Sequence, residues 1–269
     1  MRIVVDGSVF ESEPAWCLPL LWFARVHRHR VLIGSSAQPA FRKWREALAP
    51  ESHAAAVDHA VEWSMLEEAS NRAYFGVTVS TEPTGGRAIS PIAAWNLLQR
   101  PYRLLLEDGV NDREFLLRMC PKPERDFLRE RMAKEWLEPD HGGGISSMPR
   151  RVEELFLRGE PLLASCLFDS DAGAPASPSK ASRKLEEVCR DAGMHRHQLA
   201  RRAIENYLPR SVLEGWAGMG QNRTIRRQRR ASVQALYTLS VTQRHHENLK
   251  EALGDAKVGH LFGDDTAMN

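Results

Sequence analysis

Apolar positions along this chain follow two rhythms. Short apolar runs at residues 2–5, 31–33 and 76–79 read as strands. Between them apolar residues recur at helical spacing over residues 40–48 and 54–69, where Val57, Val61, Met65 and Ala69 share one face. A turn-rich stretch at 82–87 leads to Ser90-Pro91, which reads as an N-cap followed by proline at the first helical position. From residue 102 a new set begins. A strand over 102–106 precedes a helix from about Asp112, with Asp112 as its N-cap and Phe115, Leu116 and Met119 facing inward. Pro121 and Pro123 break that helix, and residues 124–136 form a charged amphipathic one. Three glycines at 142–144 precede a helix from Pro149. A second apolar run, a small-residue, proline-rich loop at 172–181 and helices over 184–191 and 196–207 follow. Short strands separated by helices predict an α/β fold: an α/β or α+β region over residues 1–100 and a parallel sheet flanked by helices over 101–269.

Two of the apolar runs end abruptly in acid. Residues 104–108 (LLLED) deliver Glu107 and Asp108, and residues 163–171 (LASCLFDSD) deliver Asp169 and Asp171 around Ser170. Ligands of open α/β sheets sit beyond the carboxyl ends of the strands, so acids at two such ends face a common crevice. Hard oxygen donors without soft neighbours suit Mg²⁺ or Mn²⁺, and Mg²⁺ commonly joins one or two carboxylates to a phosphate. Acid after a strand is also ordinary turn chemistry. Against that, Leu167 and Phe168 lead into Asp169 with no polar spacer. The interval of about 60 residues also leaves room for the crossovers that parallel strands need. Asp6, with Gly7 and Ser8 behind it, reads as a structural turn.

These segments resemble a known family. LLLEDGVNDREFLL is similar to the first motif of the Toprim (topoisomerase–primase) domain, and LFDSDA to its D-x-D motif. HGGGISSMPRRVEEL, over 141–155, resembles the glycine-rich turn after the second strand of nuclease-type Toprims. HQLARRAIENYLP, over 197–209, and RHHENLKEALGD, over 244–255, resemble later motifs of the overcoming-lysogenization-defect nucleases. The resemblance spans residues 101–255 and departs from the usual acid–glycine pair, which here reads Glu107-Asp108-Gly109. It implies a Toprim-like (Rossmann-like) fold and a Mg²⁺- or Mn²⁺-dependent nuclease. Glu107, Asp169 and Asp171 are then the metal ligands. Glu205 holds a second metal or, read from the residues alone, pairs on a helix surface with Arg201 or Arg202. Lys250 is then a cation beside the transferring phosphoryl or, alternatively, a solvated helix lysine. Asp112 supports the metal ligands from behind in that scheme, and Asn206 and Tyr207 are structural.

Composition narrows the partners. The 269 residues are 42% apolar and 27% charged with a net charge of +2, as in an ordinary globular protein. The longest apolar stretch, residues 15–24, is interrupted by Pro19 and too short for a bilayer, and the N-terminus reads as a strand and not a leader. Four scattered cysteines form no C-x-x-C pair, which argues against a zinc-bearing primase and for a reducing, cytoplasmic setting. Cys166 reads as a small core residue. Basic character therefore comes from patterning. Residues 221–230 carry Arg223, Arg226, Arg227, Arg229 and Arg230 with no acid, which is either a solvated helix face or a stripe tracking phosphates, DNA favoured over RNA.

His245 and His246 are adjacent, so on a helix they point about 100° apart and do not share a metal. No G-x-x-x-x-G-K-S/T loop occurs, so any ATPase coupling, in a defence system or elsewhere, needs a separately encoded P-loop subunit. Residues 1–100 would dock that subunit or a second copy, with Trp16, Trp22, Trp44, Trp63 and Trp95 as material for the interface or for a core. The competing reading is a non-catalytic module that binds nucleic acid or a partner. A topoisomerase is disfavoured because Tyr74, Tyr102, Tyr207 and Tyr237 lack a nucleophile context.

Overall fold

A computed structural model of the chain describes residues 2–26, 28–48, 57–58, 61–62, 76–85 and 87–249. The chain divides into two compact units, Met1–Tyr102 and Arg103–Asn269. Each holds a four-stranded parallel sheet flanked by helices, so the protein is α/β.

In the first unit the strands are β1 (Arg2–Val5), β2 (Arg30–Ile33), β3 (Gly76–Val79) and β4 (Ala88–Ile89), in the order β2-β1-β3-β4. Ile3 and Val5 alternate into the core, as the two-residue period of a strand dictates. Asp6 caps helix α1 (Gly7–Ser12) by accepting the Ser8 N–H at 3.0 Å, which bears out the structural-turn reading. Helices α2 (Cys17–Arg25), α3 (Gln38–Ala47) and α4 (Pro91–Leu98) supply the remaining apolar faces. Ser90 caps α4 through the Ala93 N–H, as its sequence predicts. Phe10 packs 5.4 Å from both Phe41 and Trp44, and Trp95 lies 5.3 Å from Phe23. Trp44 is buried in the unit's own core and Trp16 and Trp95 pack against it partly buried, whereas Trp22 is exposed. Trp63 and most of the predicted 54–69 helix lie outside the described residues.

The second unit contains β5 (Tyr102–Leu106), β6 (Leu137–His141), β7 (Ala164–Phe168) and β8 (His195–Gln198), in the order β6-β5-β7-β8. Its helices are α5 (Asn111–Met119), α6 (Lys122–Ala133), α7 (Met148–Leu157), α8 (Lys180–Asp191), α9 (Arg210–Gly218), α10 (Arg223–Thr238) and α11 (Val241–His246). Alternation along β7 separates two cores. Cys166 and Phe168 join Leu105 against α7 and α8, whereas Leu167 packs with Phe115, Trp216 and Val233 from α5, α9 and α10. Leu106 is fully buried, and a Cβ at Gly142 would lie 2.8 Å from its carbonyl oxygen. That close approach requires glycine where the glycine-rich turn crosses the end of β5.

Three expectations need correction. Residues 196–207 are not a helix: His195–Gln198 is an edge strand and Ile204–Tyr207 a single 3₁₀ turn. An edge strand half open to solvent tolerates the polar sequence HRHQ. Asp112 is not the N-cap of α5; Val110 occupies that position, and the Asp108 carboxylate receives the Val110 and Asn111 N–H groups at 2.9 and 3.0 Å. The charged helix begins at Lys122 and ends at Ala133, short of Trp136. Among the described residues, no helix is long and apolar enough to cross a membrane.

Candidate active site

β5 and β7 are direct parallel neighbours, with Leu106 opposite Leu167. Glu107 and Asp169 therefore leave the sheet side by side at its carboxyl edge. Strand order places them where the chain reverses direction, since β6 lies on one side of β5 and β7 on the other. This switch point is where an open α/β sheet forms a crevice.

The two acids are joined. Glu107 Oε1 accepts the Asp169 N–H at 2.7 Å, and Asp169 Oδ1 accepts the Ile204 N–H at 3.1 Å. Asp169 is only 7% exposed, so its acceptor capacity has to be met locally. Its carbonyl receives the Ser182 hydroxyl at 2.8 Å, and Ser182 receives Gln198 Nε2 at 2.6 Å. Strand β7, helix α8 and strand β8 are thus tied together directly under the site.

The rest of the D-S-D loop is fixed by the segment after β8. Ser170 Oγ donates to the Arg201 carbonyl at 2.7 Å, and the Asp171 N–H donates to the Arg202 carbonyl at 2.8 Å. Asp171 has φ +48°, a left-handed conformation that Asp tolerates better than most residues. Its side chain makes no hydrogen bond or ion pair with the described residues. Glu205 is buried at 5% exposure in the 3₁₀ turn whose first N–H caps Asp169. Asn206 Nδ2 donates to the Arg244 and Glu247 carbonyls at 2.8 and 3.0 Å, and Tyr207 accepts the Arg201 N–H at 3.0 Å. Both residues are structural here, in line with their sequence reading. Arg201 packs its guanidinium over the Tyr207 ring and donates to the Asn206 carbonyl, while Arg202 reaches the His246 carbonyl.

Electrostatics around the edge are uneven. Burial raises the pKa of Asp108, but the N–H groups of Asn111 and Val110 and the Asn111 side chain outweigh it, leaving a net lowering. The His245 pKa is lowered by burial and by Arg201, His246 and Arg244. Cys166, beneath the acids, has its pKa raised by its hydrogen bond to Cys189 and by burial, which keeps it an inert thiol. His141 has no role in the sequence reading. It ends β6 and accepts the Gly109 N–H at 3.0 Å, holding the Glu107 loop. The only signal for it is a polar residue between an edge strand and three glycines.

Carboxylate oxygens are the right donors for Mg²⁺ or Mn²⁺, and Glu107 and Asp169 stand at one edge of the sheet, the Glu107 carboxylate bonded to the Asp169 backbone N–H. Asp171 and Glu205 do not complete a larger set. Among the described residues no group of three or more His, Cys, Asp or Glu side chains could hold a metal ion. Lys250 lies outside the described residues.

The arginine stripe falls on α10. Arg223, Arg226, Arg227 and Arg230 line a groove of about 830 Å³ with Thr224 and Gln234, and none of the four forms an ion pair with the described residues. Their i, i+3, i+4, i+7 spacing puts them on one helical face about 10 Å long. Arg229 is different. Its guanidinium stacks over Trp216 at 4.7 Å and donates to the Met219 carbonyl at 3.5 Å, so it packs α10 onto α9.

The chain matches no family model, no curated protein and no solved structure.

Proposed function

We propose that the second unit is a Toprim-like, Mg²⁺- or Mn²⁺-dependent nuclease that hydrolyses phosphodiester bonds, DNA favoured over RNA. The observation that carries this reading is the 2.7 Å contact of Glu107 Oε1 with the Asp169 N–H at the sheet's switch point. Glu107 and Asp169 would hold the cation, with Asp171 and Glu205 at its margin and Lys250 as an added positive charge. The cation would supply charge neutralisation at the phosphoryl group and a more acidic water. The chain's own contribution is positioning. The Ile204 N–H and the Glu107–Asp169 contact fix both carboxylates before substrate arrives, and Ser182 anchors the loop that carries Asp169. The four arginines of α10 give a phosphate backbone a basic track. The resemblance supports work with a P-loop ATPase partner, in a cytoplasmic defence role.

A second reading, a module that binds nucleic acid without cleaving it, draws on one specific fact. Glu107 and Asp169 both accept backbone N–H groups, a role in which they simply close loops. Incubating the purified protein with single- and double-stranded DNA and RNA, with Mg²⁺ or Mn²⁺, separates the two. The nuclease reading requires cleavage that a Glu107→Gln/Asp169→Asn variant loses while still binding nucleic acid. Absence of cleavage by the parent with either metal and with the ATPase partner supplied leaves the binding module.

A further inference from the structure

The first unit repeats the strand order of the second, and its own switch point lies between β1 and β3. There the Asp6 N–H donates to the Val79 carbonyl at 2.9 Å and Ser8 Oγ lies 3.2 Å from Ser80 Oγ. β3 and β4 are parallel, yet only residues 80–87 join them. A crossover that short cannot contain a helix, and Glu82, Thr84, Gly85 and Arg87 from it border an open cleft of about 550 Å³ at the end of the sheet. The volume suits a small metabolite.

The lining is almost wholly polar. Asp6, Glu82 and Arg87 supply charge, and Thr78, Ser80 and Thr84 supply hydroxyls. Gly85 and Ala88 complete it, with no aromatic or large aliphatic side chain among the described residues. An apolar cofactor ring would find nothing to stack on. A divalent cation would find two acids opposed by a guanidinium, and no three-acid set. What matches is a ligand that is both polyhydroxylated and anionic. Asp6 keeps a low pKa through the Ser8 N–H against the opposing effect of burial, so it stays an acceptor at neutral pH. Glu82, Thr78 and Thr84 side chains make no hydrogen bond or ion pair with the described residues, so their polar groups face the cleft unengaged. A strand-end carboxylate that accepts from ribose hydroxyls is the recurrent solution at such edges. A guanidinium that grips a phosphate is equally general.

We infer that the carboxyl edge of the first sheet binds a pentose phosphate, with Asp6 and Glu82 accepting from the sugar hydroxyls and Arg87 engaging the phosphate. The sugar phosphate could come free or as part of a nucleotide, and the chemistry is shared.

Isothermal titration of the full chain with ribose 5-phosphate, adenosine 5′-monophosphate, ribose and inorganic phosphate tests this. Ribose 5-phosphate or the nucleotide binds at least about tenfold more tightly than ribose or phosphate, as expected when a charged hydrogen bond is added at each end. Tighter binding of the nucleotide than of ribose 5-phosphate identifies a nucleotide as the source, and equal binding a free sugar phosphate. Asp6→Asn, which retains a capping side chain and so the fold, weakens binding about tenfold or more. Arg87→Gln removes the preference over ribose. Glu107→Gln, in the other unit, leaves the titration unaltered. No binding of either phosphorylated ligand at millimolar concentration overturns the site. So does binding that persists unchanged in both Asp6→Asn and Arg87→Gln, or that disappears with Glu107→Gln.

Discussion

The two units place different chemistry on one topology. Both sheets run second-first-third-fourth by order of appearance, so both open a crevice between their first and third strands. At that point the second unit has Glu107 and Asp169 in contact, each oriented by a backbone N–H. The first unit has a single strand-end acid, Asp6, occupied in part with capping α1, and hydroxyls at the opposite strand. Two strand-end acids are the basis of the cation site proposed for the second unit; two acids and an arginine among hydroxyls are the basis of the sugar-phosphate site proposed for the first. Topology thus sets where a ligand sits, and the first residues beyond each strand set what it is.

Substitution at the second switch point breaks the comparison most sharply. Asp169→Asn should lower metal-dependent cleavage by about 100-fold or more, because even residues that merely orient a metal's ligands are worth 10–100-fold. The fold should persist, since Asn still accepts the Ile204 N–H through its amide oxygen. A single-turnover assay with a circular-dichroism melt reads both. An Asp169→Asn protein that cleaves within about twofold of the parent would remove the site from the second unit.

Stability follows the cores beneath the edges. Phe168 is 2% exposed and sits one residue before Asp169. Phe168→Ala should cost about 3–5 kcal/mol in urea unfolding, through lost transfer energy and the cavity left behind. In the first unit Ile3→Val should cost only about 0.5–1.5 kcal/mol, the smaller loss of one methylene. Similar costs at the two sites would mean that the sheet beneath Asp169 repacks, and that the acid pair has no rigid base.

The basic helix can be divided in the same way. Neutralising Arg223, Arg226, Arg227 and Arg230 to Gln should flatten the dependence of log K on log salt by about 0.7–0.9 for every phosphate the helix no longer neutralises. Arg229→Gln should leave that slope alone and cost about 0.5–1 kcal/mol by removing the stacking on Trp216. Fluorescence-anisotropy titrations at four salt concentrations, with melts, distinguish them. A slope that responds to Arg229 alone would reverse the assignment.

How much of this was legible in the sequence depends on what each segment buries. The runs LLL at 104–106 and SCLF at 165–168 announce strands because the sheet between two cores must be apolar, and the acids that follow them mark the edge. β8 was hidden: HRHQ is an edge strand whose pairing with β7 rests on backbone hydrogen bonds, which have no side-chain signature. β6, LEPDH, is concealed in the same way, with Pro139 admissible only at an edge. Asp112 seemed the cap because it precedes the apolar face; Asp108, one turn earlier, reaches the free N–H groups instead. The cleft of the first unit was unreadable because Thr78, Ser80, Glu82 and Thr84 alternate as the polar face of any exposed strand does, with nothing to mark a ligand. Only the folded connection between β3 and β4 brings them together with Asp6. The five tryptophans of residues 1–100 fit an interface or a core equally by type, and size alone cannot tell a core ring from an exposed one.

The smallest expected effect compares Asp6 and Asp108, whose carboxylates accept backbone N–H groups at the start of the helices following β1 and β5. Asp6 and Asp108 both have lowered pKa values, Asp6 chiefly through the Ser8 N–H and Asp108 through three hydrogen bonds that overcome its burial. A carboxylate depressed below its usual 3.8 contributes stability that is fully present above that value and is lost as pH falls through the folded-state pKa. At pH 7, Asp6→Asn and Asp108→Asn should each change stability by no more than about 0.5 kcal/mol, because Asn caps a helix nearly as well. Below about pH 4 the parent should lose this contribution while the variants have none to lose, so any gap in the parent's favour at neutral pH closes. Urea midpoints measured from pH 7 to pH 3 read the difference. Both variants should alter the acid limb, since the Asp108 carboxylate accepts from the Val110 and Asn111 N–H groups and the Asn111 side chain, and the Asp6 carboxylate is held down by Ser8 and Gly7. An acid limb that is identical in parent and both variants would show that neither cap is ionised in the folded protein, and that the edges of the two sheets are held by packing alone.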